Sequence, residues 1–409
     1  MNHSSDDGSK PTGYTLVRKV CAVFLAGLAL LGMAYAGRFF YGQWHTNREL
    51  ALQNLLEASY EAEDWKQVES RARNLVDLYP QSAKGWLCLA DAHREHGDEE
   101  QAAECLVRVP ESDSRAIKAL ELASEIYFTG LNRPLDGISV CRDIIRISRR
   151  NAHARRRLIF FYALTLQRAE LVRIVRESVS LRCEPPEAYV YLMLSDHLSF
   201  TNGYQLNTKW MQSDVESELF LVARAIQMSN SLSTLDDPDI ESDEERQERH
   251  KLMEDYFRQY PQNPAILRYF VRKEVIAENV SAVGELLAKV PAEAADDPVL
   301  WRYRGWYHFA TDDIDLARNA YQRSLELHPL DWQSWHGLAA TTRKAGSLAE
   351  AARFQAIAVT GKELRKDLMQ IEDARSVDPS LLARTASYAR QCSDDQIADA
   401  LDARLWLMR

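Results

Sequence analysis

A spacing of 34 residues recurs along this chain, and few folds are compatible with such a period. Trp301 aligns with Trp335, Gly305 with Ala339, Ala317 with Ala351 and Ser324 with Ala358. Leu52 and Trp86, Leu55 and Leu89, and Val68 and Ala102 stand at the same offset. Self-similarity at a period of roughly 20–50 residues marks stacked supersecondary units, because one unit cannot bury its apolar face alone. Pro80 and Pro329 each close a unit, where proline removes an amide donor and turns the preceding residue away from helix. Gly97 and Gly346 fall between the two helical halves of a unit. The pattern predicts an all-α chain of antiparallel helix pairs. In each pair a small residue such as Gly305 lets the second helix approach at Ala317, while Trp301 and Tyr321 fill the groove beside that contact.

Clear units start at Glu49, Ala83, Pro264, Pro298 and Trp332. Weaker ones start near Ile117 and Ala152, where Tyr127 and Tyr162 take the first-helix aromatic position. The separation of Trp86 from Trp301 is not a multiple of the period, so the array is interrupted over about Pro185–Tyr260. That stretch reads as a helix (PEAYVYLMLSDHLSF), a polar connection around Asn202-Gly203, a helix near 214–229 and an acidic loop, Leu235–Glu248. Residues 378–391 and 394–407 read as two final helices that cap the array.

The segment Pro298–Pro329, PVLWRYRGWYHFATDDIDLARNAYQRSLELHP, closely resembles a tetratricopeptide repeat (TPR). It has the bulky fourth residue, small residues at positions 8 and 20, an aromatic at 24 and proline at 32. The resemblance covers about two-thirds of the chain and is most specific in the last three units. It implies a TPR-type right-handed helical-hairpin solenoid with protein or peptide partners. In that family first-helix positions 2, 5, 6, 9, 12 and 13 line a concave groove. Position 5 gives Arg268, Arg302 and His336; position 6 gives Tyr269, Tyr303 and Gly337; position 9 gives Arg272, Trp306 and Ala340; positions 12 and 13 of the last unit give Arg343 and Lys344. Forked guanidinium groups suit carboxylates and rigid rings suit apolar side chains, so the expected partner is an acidic segment. The asparagines of the carboxylate clamp of chaperone-binding members are absent, which argues against a free C-terminal carboxylate as ligand. The alternative is that these side chains pack against the insertion or the cap.

A second basic feature is Arg142, Arg146, Arg149, Arg150, Arg155, Arg156 and Arg157, opposed only by Asp143. It could hold an anionic headgroup or acidic partner, or be a solvated face with cations at a helix C-terminus. The acidic run Asp236, Asp237, Asp239, Glu241, Asp243, Glu244 and Glu245 could fold into the basic groove as an internal ligand, or be a solvated linker.

Composition excludes other classes. The 409 residues are too many for one core. A net charge of -10 opposes nucleic-acid binding, and none is expected. The mean hydropathy of -0.37 opposes a polytopic membrane protein. Six cysteines contain no CxxC pair. Cys88, Cys105, Cys141, Cys183 and Cys392 read as small apolar residues. There is no P-loop, dinucleotide glycine pattern, GxSxG or HExxH, so no catalytic residue and no cofactor is expected. Asp91, His93, Glu95 and His96 form the nearest metal-like cluster, but its positions suit packing and a turn, so no metal is expected. Tyr204, Lys209, Asp214 and Glu216 in the insertion stand at no catalytic spacing.

At the N-terminus, Arg18 and Lys19 precede an apolar run, Val20–Ala36, followed by Arg38, Phe39, Phe40, Tyr41 and Trp44. Seventeen residues rise roughly 26 Å, slightly short of a bilayer core. The interfacial aromatics favour a permanent transmembrane helix, and Ala34-Tyr35-Ala36 offers an A-x-A cleavage site for a secreted alternative. The cation bias places the N-terminus inside, so the expectation is a bacterial inner-membrane protein with its repeats outside the cytoplasm. The expected organisation is a polar tail (1–13), an anchor or signal segment (14–44), a first repeat block (45–184), an irregular helical insertion (185–263), a second repeat block (264–365) and capping helices (366–409). The expected function is a non-catalytic membrane scaffold or assembly factor. The alternatives are a structural subunit of a larger membrane complex or an enzyme with its site in the insertion.

Overall fold

The computed structural model describes residues 13–197, 200, 202–233 and 243–408; the side chains of 13–30, 32, 34, 230–233, 243, 245 and 246 lie outside that set. Among the described residues every regular element is helical and there is no strand. The chain divides into two compact units, Met1–Asp113 and Ser114–Arg409.

The first unit contains α1 (Gly13–Glu61), α2 (Trp65–Leu78), α3 (Ala83–Glu95) and α4 (Glu99–Val107), each packed against the next. Asp64 and Asp98 cap α2 and α4 by accepting the amides of Gln67 and Gln101. Such caps satisfy donors that a helix start leaves free. Leu56, Val68, Ala72, Leu75, Ala92 and Ala102 form a closed core. The helix α1 runs without a break from the expected anchor into the first repeat helix. Leu31, Met33, Tyr35, Phe39, Phe40, Tyr41 and Trp44 are exposed along it. Among the described residues no helix is long and apolar enough to cross a membrane. Most of the Val20–Ala36 run lies outside the described side chains.

The second unit begins with α5 (Ala116–Glu125), a π turn at Ile126–Gly130, α6 (Pro134–Ile147), α7 (Ala152–Leu164) and α8 (Arg168–Ser180). The expected insertion is four helices: α9 (Ala188–Met193), α10 (Gly203–Trp210), α11 (Glu218–Ser233) and α12 (Asp243–Gln259). The periodic part resumes with α13 (Pro264–Ile276), α14 (Val280–Leu287), α15 (Pro298–Ala310), α16 (Ile314–Leu327), α17 (Trp332–Lys344) and α18 (Leu348–Leu368). The cap is α19 (Pro379–Gln391) and α20 (Asp395–Leu407). First helices start at Pro264, Pro298 and Trp332 and second helices at Val280, Ile314 and Leu348, a spacing of 34 in both series.

Equivalent residues occupy equivalent surroundings. The indole N–H of Trp86, Trp301 and Trp335 donates to the carbonyl of Pro80, Ala295 and Pro329 respectively, at 2.7–2.8 Å and always six residues back. The turn between paired helices takes the left-handed conformation at Glu63 and Gly97 in the first block and at Glu278, Asp312 and Gly346 in the second, at the same period within each block. Only two of these are glycine, so the sequence marks only two of the turns.

Three expectations for the insertion are corrected. The helix read as PEAYVYLMLSDHLSF is regular only over Ala188–Met193 and turns at Leu194–Asp196. The polar stretch at Asn202-Gly203 instead opens α10, with Asn202 left-handed before it. Of the expected acidic loop, Asp236, Asp237, Asp239 and Glu241 lie outside the described residues, and Asp243 already starts α12.

Stacking depends on small residues under a ring. Tyr321 is buried between Gly305 of its own unit and Gly337 of the next. A Cβ on Gly337 would lie 2.2 Å from the Tyr321 ring. Gly337→Ala is therefore expected to destabilise the second unit by about 1–3 kcal/mol, despite the better helix propensity of alanine. Chemical denaturation checks this; an unchanged or raised midpoint refutes the wedge.

Candidate functional site

The arginines expected to line a partner groove are largely taken up inside the second unit. Arg268 on α13 is buried and pairs with Asp297, the capping residue of α15, while its Nη2 donates to the Leu166 carbonyl at 2.8 Å. Arg302 on α15 is buried and donates from Nη1 to both carboxylate oxygens of Asp331, at 2.9 and 3.0 Å. Asp331 in turn caps α17. Both pairs span 29 residues, and Gln53 to the Ser82 hydroxyl in the first unit repeats that spacing at 3.3 Å. Position 5 of one repeat thus holds the start of the next.

The remaining expected residues separate. Tyr303 is buried, and Tyr269 and Trp306 are half-buried against the core of α11–α15. Lys344 pairs with Asp312 and lies 5.1 Å over the Phe309 ring. Arg272, His336 and Arg343 remain exposed.

Asp196, on the turn after α9, enters this interior. It accepts from Arg302 at 3.3 Å and from Arg365 near the end of α18. Burial alone would raise its pKa; Arg365 and Arg302 outweigh burial and hold the carboxyl well below the usual carboxylate range. The same carboxylates hold Arg302 charged against burial and move its pKa up. The array also turns back on itself. Helix α20 packs against α8, and Arg176 grips Asp394 with two bonds of 3.2 and 2.7 Å. Close by, buried His328 shares a 3.4 Å hydrogen bond with Ser195, and burial and Arg176 push its pKa down to about 4.

The second expected cluster divides in the same way. Arg155 is fully buried, donating to the Arg149 carbonyl at 2.7 Å and to Glu177 at 2.9 Å. Arg142 reaches the Tyr162 hydroxyl at 3.2 Å, Arg146 pairs with Asp143, and Arg150 reaches the Arg182 carbonyl. Arg149 is exposed. Arg156 pairs with Glu187 at 2.6 Å, and Arg157 lies over Phe128 and against Glu125.

Arg156 and Arg157 border a recess of about 710 Å³ between α7, α9 and the 368–375 segment. Its apolar lining includes Phe160, Leu164, Tyr191, Leu194 and Met369, and its polar lining includes His153, Glu187, Glu372 and Arg375. Phe160 and Met369 are exposed although they are large and apolar. Burial and Glu187 raise the Tyr191 phenol to about 12. No position of the 264–344 ladder lines this recess. Its only sequence signal is the aromatic pair Phe160-Phe161 after the basic run.

Asp91, His93, Glu95 and His96 do not converge. His93 is buried, His96 faces Glu69 at 3.3 Å and Asp91 accepts from Tyr60 at 3.0 Å. Among the described residues no group of three or more His, Cys, Asp or Glu is placed to hold a metal.

Residues 298–341, which span α15, α16 and most of α17, match the tetratricopeptide repeat family model. Over those residues the chain is similar to a TPR. No curated protein matches the chain. Among solved structures the chain is similar to the APC/C hetero-tetramer Cut9-Hcn1, at 14% identity and TM-score 0.33, covering 88% of this chain and 79% of that one. Human IFIT1 with m7Gppp-AAAA gives 11% identity and TM-score 0.33, covering 87% and 75%. Yeast Tom70 gives 13% identity and TM-score 0.27, covering 87% and 89%. At these scores residue roles do not transfer between the TPR segment and those proteins.

Two outcomes follow. Arg302→Glu is expected to destabilise the second unit by about 3–5 kcal/mol, because it leaves buried carboxylates unpaired; a denaturation midpoint within error of the parent refutes that. His328 is held neutral in the fold, with its pKa lowered from 6.5 to about 4. The stability this gives is fully present above pH 6.5 and is lost as pH falls toward 4, on the order of 3 kcal/mol. Melting curves from pH 7 to 4 should show the loss, and His328→Asn should flatten it.

Proposed function

We propose that the protein is a non-catalytic, membrane-anchored scaffold that binds a segment of a partner protein in the recess between α7, α9 and residues 368–375. The observation that carries this reading is the recess itself, where exposed Phe160 and Met369 lie beside both signs of charge. Isolated large apolar side chains on a surface need no explanation, but a concave cluster rimmed by polar groups suits a bound ligand. A partner segment would place apolar side chains on the apolar lining and polar ones on the polar lining. The net charge of -10 supports a protein rather than a nucleic-acid partner.

The membrane part rests on the Val20–Ala36 run and the exposed Phe39, Phe40, Tyr41 and Trp44 that follow it on the same helix. The cation bias around that run supports an inner-membrane location with the repeats outside the cytoplasm. A second reading, a subunit packed permanently in a larger complex, is favoured by Trp406, Leu407 and Met408, exposed together at the end of α20.

A photo-crosslinking amino acid placed at Phe160 or at Trp406 in the full chain, activated in intact membranes, separates the readings. The expected result is a partner adduct at position 160 that Met369→Glu removes without changing the melting temperature. Adducts confined to position 406 would establish the subunit reading instead. Release of the full chain into the soluble fraction by alkaline washing would refute the anchor.

A further inference from the structure

We propose that Arg168, Arg302 and Arg365 form a carboxylate-recognition site inside the second unit, with Asp196 as its resident occupant, and that an acidic side chain of the bound partner segment adds the carboxylate that Arg168 lacks beside Asp196. This rests on the scaffold reading above and names what the partner must carry.

Charge in this interior is unmatched. Four guanidinium groups, Arg168, Arg268, Arg302 and Arg365, share the interior with three carboxylates, Asp196, Asp297 and Asp331. Arg268 has Asp297, Arg302 has Asp331, and Asp196 is divided between Arg302 and Arg365. Arg168 has nothing. It is 1% exposed, and its Nε, Nη1 and Nη2 have no hydrogen-bond partner among the described residues. Its guanidinium carbon lies 5.8 Å from the Phe200 ring centroid, a weak substitute for an oxygen acceptor. Burial and Arg268 push its pKa down to about 9, against the opposing pull of Asp196 and Asp297.

An ion without a partner in a dry interior is among the most costly arrangements a fold can hold. Arginine is the side chain least able to escape by losing its proton, and its planar fork matches a carboxylate. The interior is therefore one carboxylate short. The supply side is also at hand. Asp196 sits on a turn outside any helix, so it is the least constrained of the three acids; Asp297 and Asp331 are fixed as helix caps. Phe200 and His197, next to Asp196 and Arg168, also line the 710 Å³ recess, while Arg168, Arg268 and Asp297 line a second cavity of about 280 Å³. His197 follows Asp196 in the chain and the Phe200 ring lies against Arg168, so an acidic side chain from a segment in the recess would pass these two residues to reach the arginines. The cluster joins the starts and ends of distant elements: Arg168 opens α8 and Arg365 lies in the last turn of α18.

Fluorescence anisotropy on the full chain in detergent tests this with a labelled acidic octapeptide, EEFEELEE, its glutamine counterpart, and succinate as a free dicarboxylate. The expected result is that the acidic peptide binds at least roughly tenfold tighter than the glutamine peptide, and that Asp196→Asn tightens the acidic peptide about tenfold further. Arg168→Met should remove the discrimination while raising the melting temperature, since it deletes an unpaired buried charge. A purely structural arginine would give the opposite, a lower melting temperature with peptide binding unchanged, and that result overturns the proposal. Equal binding of both peptides overturns the carboxylate site and leaves the recess as a docking surface; binding of neither overturns both. Succinate binding without peptide binding overturns the protein-segment occupant. Should Asp196→Asn fail to fold, the wild-type peptide and succinate arms decide alone.

Discussion

The wedge of Tyr321 between Gly305 and Gly337 is the contact on which the rest of the second unit depends. A helix pair is apolar on a face that its own partner cannot cover, so each pair is stable only with a neighbour. The neighbour must come close enough for a buried ring to touch backbone on both sides, and only a residue without a Cβ allows that. Gly361, where a Cβ would meet the Tyr388 hydroxyl and Trp332, repeats the device where the cap joins the array.

Close stacking brings the start of each first helix against the body of the one before. That geometry explains the 29-residue pairs. A capping aspartate already satisfies amides at its helix start, as Asp297 does for Val299 and Leu300. Its second oxygen is free to accept an arginine from the preceding repeat. Arg268 and Arg302 therefore serve register, and the polar cap and the ion pair are one structure. A ladder of cations that reads as a binding face in one dimension is, in three, the internal joint between units.

The repeats were legible because each rests on local signals. The proline at a helix start or end, the capping aspartate or asparagine and the small residue under a ring all lie within one period. The cap helices follow the same logic, expected at 378–391 and 394–407 and found at Pro379–Gln391 and Asp395–Leu407. What was hidden depends on distant partners. Nothing in PEAYVYLMLSDHLSF breaks a helix, yet the chain turns at Leu194 because Asp196 is drawn to Arg302 and Arg365 and Ser195 to His328. Leu166 adopts a left-handed turn that its side chain disfavours, and its carbonyl is held by Arg268 from 102 residues away. The grip of Arg176 on Asp394 spans 218 residues and has no periodic trace.

That last contact changes what the interior can do. In an open array the first helices would present a continuous trough, and any of them could meet a partner. With α20 returned to α8 and the turn after α9 placed against α15 and α18, the first-helix arginines Arg268 and Arg302 face aspartates of their own chain, while Arg272 and Arg343 stay exposed. Coverage fails at the recess lined by Phe160, Tyr191 and Met369, the place where recognition is proposed. A space of about 710 Å³ is within the range that a few side chains fill, and far below what a folded domain needs. On the proposed reading that space suits an extended segment rather than a globular surface: its shape follows from how the array closes, and the charge argument from Arg168, whose guanidinium has no hydrogen-bond acceptor among the described residues.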